Sequence, residues 1–209
     1  MSNNVTVTKC HQAGITLLEL MITLTVAAVL LVLAIPAFTE FRERTLFRGS
    51  TDQLLAMVQN AKFEAVQRDR PVTVTFLSQA GGTVWCVGAN EGNAACNCLQ
   101  PDPAAAGFCN VGSYPALNLA DPRTPAEQVT ELVRGVRVTV GPNFGGGNRF
   151  TINPKLGTLD DPLQFGSVTL RSPSDDLAYL ARFDVSPLAR ASLCAPNAQS
   201  HFPGTSLCP

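Results

Sequence analysis

From Ile15 to Ile35 the chain runs 21 residues with a single charge, Glu19. That is the length a helix needs to cross a bilayer core of about 30 Å, so the run is a candidate membrane span. An ionised side chain in hydrocarbon costs about 2.5 to 3.5 kcal/mol on insertion scales, and Glu19 therefore calls for a cationic partner. A cut after Gly14 would create one, because the new amino group of Ile15 lies one helical turn from the Glu19 carboxylate. The amine of a neighbouring copy would serve equally. A secretory signal is the competing reading, with Lys9 as its basic region. The acid inside the run, the want of a clean A-x-A site and a helical sequence that continues through Pro36 all oppose it.

That continuation, "FTEFRERTLFRGSTDQLLAMVQNAKFEAVQRDRP", sets Phe47, Leu54, Val58, Ala61 and Ala65 at steps of seven, four, three and four, which lines one helical face. One helix from Ile15 to about Asp69 would be roughly 80 Å long at 1.5 Å per residue. No compact domain encloses such a rod, so its first half is expected to project. Pro36 lacks an N–H and is expected to kink it, while Gly49 and Ser50 mark a weak point near the domain edge.

After Pro71, short alternating segments read as strands: "VTVTF", "TVWCVG", "VRVTVG", "NRFTI", "SVTLRS" and "AYLARFDVS". Only "PAEQVTELVRG", Pro125 to Gly135, interrupts them with a helical pattern. The expected class is α+β, with mainly antiparallel hairpins and the Leu54, Val58 and Ala61 face of the helix laid on the sheet. From Gly88 to about Arg123 the text turns rich in Ala, Asn, Gly and Pro and reads as a long inserted loop. "GPNFGGGN", Gly141 to Asn148, lacks the Lys-Ser/Thr ending of a phosphate cradle and reads as a flexible hairpin loop.

Cysteines stand at Cys10, Cys86, Cys96, Cys98, Cys109, Cys194 and Cys208. Without the segment before Ile15 six remain, an even count that suits a disulfide framework in an exported domain, with 15 connectivities open. Cys86, Cys96, Cys98 and Cys109 would staple the insertion, and Cys194 with Cys208 would close a carboxyl-terminal loop. A metal site has less to work with, since no CxxC pair occurs and His201 is the one histidine beyond Ile15. Charged residues make up 15% of the chain and leave a net charge of -1, which offers no global attraction to nucleic acid. No nucleophile elbow or HExxH is present, and the pairs Asp160-Asp161 and Asp175-Asp176 lie in Pro-flanked turns where solvated acids are common. No catalysis, cofactor or metal is expected.

"AGITLLEL" resembles the class III signal of type IV pilins and pseudopilins, in which a small residue precedes the cut, a hydrophobic residue follows it and glutamate stands fifth. Gly14, Ile15 and Glu19 occupy those positions, and Pro36 stands where such chains place a kinking proline. "LAMVQNAKFEAVQRDRPVTVTF" resembles the end of the helix and first strand in the GspH/FimT group of minor pilins and pseudopilins, FimT/FimU-like, with Lys62 where arginine is usual. "FTINPKLGTL" resembles that group's F-x-P-x-G turn, and "FDVSPLARASLC" its V-S-P-x-G-R-x-R-L-C ending.

The resemblance implies a pilin-like fold: a leader at 1–14, a transmembrane and assembly helix at 15–37, the carboxyl half of the helix at 38–70 and a disulfide-stapled head at 71–209 carrying the 88–123 insertion. It implies a non-enzymatic subunit, cleaved between Gly14 and Ile15 and N-methylated on Ile15 by a prepilin peptidase. Glu19 and Pro36 would serve assembly with other pilins or pseudopilins. The chain would rest in the inner membrane, single-pass with its head in the periplasm, and enter or prime a type IV pilus; the alternative fibre is the pseudopilus of type II secretion. Some members bind DNA through a G-R-x-R motif. Here that place reads Ala189, Arg190, Ala191 and Ser192, which leaves Arg171, Arg182 and Arg190 as candidates for weak, non-specific phosphate contacts.

Overall fold

The computed structural model describes residues 15–173, 179–201 and 204–209, of which 33–37 and 140 are described by their backbone alone. Gly14, the rest of the leader and the pair Asp175-Asp176 lie outside the described residues, as does any side-chain account of Pro36. The chain divides into two compact units between Phe41 and Arg42. Helix α1, Leu17–Arg68, is continuous through residue 36, Gly49 and Ser50.

In the first unit, residues from Ile15 to Val32 are exposed on every side of the helix. In the second, Phe47, Leu54, Val58, Ala61 and Ala65 are buried and belong to one core with the strands, as the period of the sequence predicts. The helix stops without a glycine. Asp69 takes the left-handed conformation at φ 50°, and the Arg70 N–H returns to the Ala65 carbonyl at 3.2 Å. Arg68 and Arg70 both reach Glu91, tying the end of the helix to the sheet that follows.

The head has two sheets where the sequence suggested one. Strands β1 (Val72–Gln79), β2 (Val84–Glu91), β3 (Gly112–Tyr114) and β5 (Arg149–Ile152) form the first in the order β3-β2-β1-β5. Strands β4 (Arg137–Phe144), β6 (Gly166–Arg171), β7 (Leu180–Val185), β8 (Ala191–Ala195) and β9 (Ser206–Leu207) form the second in that order. All pairings are antiparallel except β8 with β9. Phenylalanines join the sheets. Phe76 of β1 stacks on Phe144 of β4 with ring centroids 5.0 Å apart, and Phe150 of β5 lies 5.1 Å from Phe144.

"GPNFGGGN" is the end of β4 followed by a tight turn. Phe144 and Gly147 exchange both backbone hydrogen bonds, at 2.9 and 3.1 Å, and the turn carries the chain from the second sheet to the first. Gly145 and Gly146, at φ 59° and 86°, supply the two positive values that such a turn needs.

The helical text after Pro125 forms α2, Pro125–Leu132. Thr124 caps it: its hydroxyl accepts from the Glu127 N–H, while the Glu127 carboxylate accepts from the Thr124 N–H at 2.8 Å. Buried Gln128 holds α2 to the preceding loop, donating to the Asn118 and Arg123 carbonyls and accepting from the Asn118 N–H. Thr124→Ala is expected to cost about 1 kcal/mol and to lower the melting temperature by about 2–4 °C in a thermal unfolding experiment.

Candidate functional site

The amino-terminal segment places an acid where a helix tolerates it. The Thr16 carbonyl accepts the first intrahelical bond, from Leu20 N–H at 3.1 Å, and its hydroxyl accepts from the Glu19 N–H at 3.2 Å. Thr16 is thus the N-cap and Glu19 the third helical residue, the spacing of a capping box. At that position the carboxylate also meets the positive end of the helix dipole. The pattern Thr16-x-x-Glu19 is present in the sequence and is the signal that a reading of the run as a plain membrane span passes over. Further along, Thr23 and Thr25 donate their hydroxyls to the carbonyls of Leu20 and Ile22, at 2.9 and 2.8 Å. Both hydroxyls are thereby satisfied within the helix.

Around these groups Leu17, Leu18, Met21, Leu24, Leu30 and Leu31 stand exposed, and a helix apolar on all faces is a buried or membrane element. Among the described residues no helix is long and apolar enough to cross a membrane, the side chains of 33–37 falling outside that description.

The three candidate phosphate contacts are not gathered into one site. Arg171 is opposite Leu180, Arg182 is opposite Thr169, and Arg190 sits in the β7–β8 turn beyond Val185. Six residues of strand separate the level of Arg171 from that turn, about 20 Å at 3.3 Å per residue. Arg182 donates to Asp184 at 2.9 Å, so its charge is already met by a carboxylate. The turn itself is fully bonded: Ser186 N–H to the Arg190 carbonyl at 3.0 Å, and Ala189 N–H to the Ser186 carbonyl at 2.9 Å. Ala189 holds φ 50° there, the conformation that the group's glycine would adopt freely.

Three stretches that carry the resemblance meet at one end of the head. Lys62 of α1 donates to the Leu188 carbonyl at 3.2 Å, and the Leu159 N–H donates to the Pro187 carbonyl at 3.0 Å. A side chain at Gly157 would come within 3.3 Å of the Lys62 stem. Helix, F-x-P-x-G turn and V-S-P turn are therefore one packing unit.

Disulfides join Cys86 to Cys98, Cys96 to Cys109 and Cys194 to Cys208. The first two form a small buried cluster with Leu77 and Leu99 and staple the insertion onto β1 and β2. The insertion is not all loop, since β2 runs into it as far as Glu91 and β3 lies within it. Among the described residues Asp184, Cys194 and Cys208 come close enough to suggest a metal site. Both sulfurs are used by the bridge, which leaves no thiolate to bind an ion.

Ahead of α2, the Arg123 guanidinium bonds Asp121 at 2.6 Å, and with help from the Arg123 N–H it holds the carboxyl at about 2 rather than 3.8. Bonds from the Thr124 hydroxyl and then its N–H likewise lower Glu127. Arg123 also meets Glu131.

Comparison with known proteins gives two family matches. Residues 9–35 match the prokaryotic N-terminal methylation motif, and residues 50–188 match the type II transport protein GspH. Among solved structures, the chain is similar to the crystal structure of the type IV minor pilin FimU of Pseudomonas aeruginosa, at 16% identity and a TM-score of 0.43, over 79% of this chain and 98% of that one. No curated protein matches.

Proposed function

The chain belongs to the GspH family and carries the amino-terminal methylation motif of pilins and pseudopilins, and from that premise we propose that it is a minor subunit of a type IV pilus. In this reading it waits in the inner membrane with its head in the periplasm, is cut between Gly14 and Ile15 and methylated on Ile15 by a prepilin peptidase, and is drawn into the fibre with other pilins. One observation carries the proposal: the apolar run from Ile15 to Val32 is exposed on every side of the helix, and its sole acid lies in the first turn beside Ile15. Such a surface needs either lipid or the helices of neighbouring subunits around it.

The new Ile15 amine and the Glu19 carboxylate would then pair, within one copy or between two. Neither group would enter the fibre as an isolated charge. The head's role is structural, with its bridges stabilising it against the periplasm and the medium.

Mass spectrometry of the protein in sheared surface fibres tests this. The expected amino terminus is methylated Ile15. A protein absent from sheared fibres but processed and retained in the periplasm would instead be a pseudopilin of type II secretion, and an uncut amino terminus within the fibre would remove both readings.

A further inference from the structure

The bridges of the head differ in access. Cys86, Cys96, Cys98 and Cys109 are all buried, 4% exposed at most, in the cluster that Leu77 and Leu99 close off. Cys194 is buried as well, but its partner Cys208 is partly exposed and is followed by an exposed Pro209. Thiol–disulfide exchange begins with a thiolate attacking one of the two sulfurs, so access to a single sulfur decides which bridge reacts first. Of the six bridged cysteines, Cys208 alone offers that access.

What this bridge holds in place is small. Strand β9 is two residues, Ser206 and Leu207, both exposed, and it runs parallel to β8 beside Cys194 and Ala195 only. The Cys208 N–H donates to the Ala195 carbonyl at 2.9 Å. Parallel pairing is the weaker kind, and so short a ladder does not repay the ordering of its own backbone. Upstream, the Ser200 carbonyl accepts from the Leu180 N–H at 3.1 Å, which keeps the chain on the sheet as far as that buried serine. The main core reaches β8 through Ala191 and Leu193 and includes neither cysteine of the bridge.

The opened state also has a place for its buried sulfur. Cys194 Sγ stands 3.5 Å from Asp184 Oδ2 and 3.7 Å from the Arg182 carbonyl, so a thiol formed there meets acceptors already in position. We propose that Cys194–Cys208 is a redox latch: a dithiol opens this bridge alone, frees residues 204–209 from β8 and leaves the rest of the head folded. One thiolate of the dithiol attacks the Cys208 sulfur, and the S–S bond breaks with its electron pair leaving on the Cys194 sulfur, which takes up a proton. The second thiol then displaces Cys208 from the mixed disulfide. The dithiol ends as a disulfide and the two cysteines as thiols, a two-electron reduction. Release uncovers β8 at Cys194 and Ala195, in line with Ala191 to Leu193, to which the β9 pairing does not extend. The whole outer edge of β8 is then open, and an open edge is what accepts a further strand. The latch belongs to the fold of the head and does not depend on which fibre the chain serves.

The test uses the full-length chain in detergent, treated with graded dithiothreitol and trapped with an alkylating reagent for mass spectrometry. Cys194 and Cys208 are expected to be alkylated at least tenfold faster than the other four. In the protein opened only there, the amide at position 208 should exchange hydrogen at least tenfold faster than in the bridged protein, while β1 and β2 keep their protection. A variant carrying both Cys194→Ser and Cys208→Ser cannot latch, and should show the fast exchange with no reductant present. Simultaneous opening of all the bridges, earlier opening of a buried one, loss of protection throughout the head, or unchanged exchange at position 208 would each overturn the proposal.

Discussion

Glu19→Ala is expected to leave the head folded and to reduce the protein in the fibre fraction by about a hundredfold, judged by immunoblot of sheared fibres against total membrane protein. The magnitude follows from the charge: an amine left unpaired in hydrocarbon costs about 2.5 to 3.5 kcal/mol, and each 1.4 kcal/mol is tenfold. Glu19 lies in the unit that ends at Phe41, while the core residues from Phe47 onward all belong to the other. Melting temperature and the three bridges should therefore match the parent.

Thr16 separates two explanations of the acid. If Glu19 serves only to start the helix, its contribution comes from capping and the dipole, at most about 1 kcal/mol or so. Glu19→Gln retains the side chain's hydrogen-bonding reach and loses the charge. It should then behave nearly as the parent under a capping role, and nearly as Glu19→Ala under the pairing role proposed here. Equal incorporation of all three proteins would sink the pairing.

Which features the text reveals follows from how local they are. The buried stripe from Phe47 to Ala65 repeats within a single helix and is readable from spacing. So are the alternating strands, because each residue's neighbour decides its face. The division into two sheets is different in kind. It depends on Val72 meeting Ile152 and on Arg137 meeting Arg171, partners separated by tens of residues that no local pattern relates.

Strands β3 and β9, three and two residues long, exist only because β2 and β8 offer them an edge. Cysteine pairing likewise follows register rather than spacing. Cys86 is placed by β2, and the insertion must fold back across that strand before Cys98 and Cys109 find their partners. The candidate arginines show the limit most plainly. Arg171, Arg182 and Arg190 look like a cluster within 20 residues of text, but antiparallel strands carry them to different levels of one sheet and give Arg182 a carboxylate partner. At the other end of the chain, Thr16-x-x-Glu19 was legible as a cap and was masked by the apolar run around it.

The same folding back makes Gly88 the position where a single methyl group is expected to do most harm to the head. Gly88 lies in β2 between Thr75 of β1 and Ser113 of β3, and the Cys96–Cys109 bridge crosses directly over it. A Cβ there would overlap the Cys109 Sγ and stand 3.0 Å from the Cys96 Sγ. Neither sulfur can move far, because both cysteines are buried against Leu77 and Leu99 and the Cys96 N–H donates to the Thr75 hydroxyl at 3.3 Å. Gly88→Ala must therefore either bend β2 or prevent the bridge. Overpacking a core costs about 1 to 3 kcal/mol, and losing a bridge that closes a loop of this length costs about 3 kcal/mol. The expected result is a melting temperature lower by about 6–12 °C, with free thiols on Cys96 and Cys109 in non-reducing mass spectrometry. Gly49→Ala is the control of opposite sign: it is exposed on α1 with nothing within 4 Å, and should stabilise the helix by about 1 kcal/mol. If Gly88→Ala instead keeps all three bridges and the parent's melting temperature, the bridge does not lie across β2 and the insertion is anchored some other way.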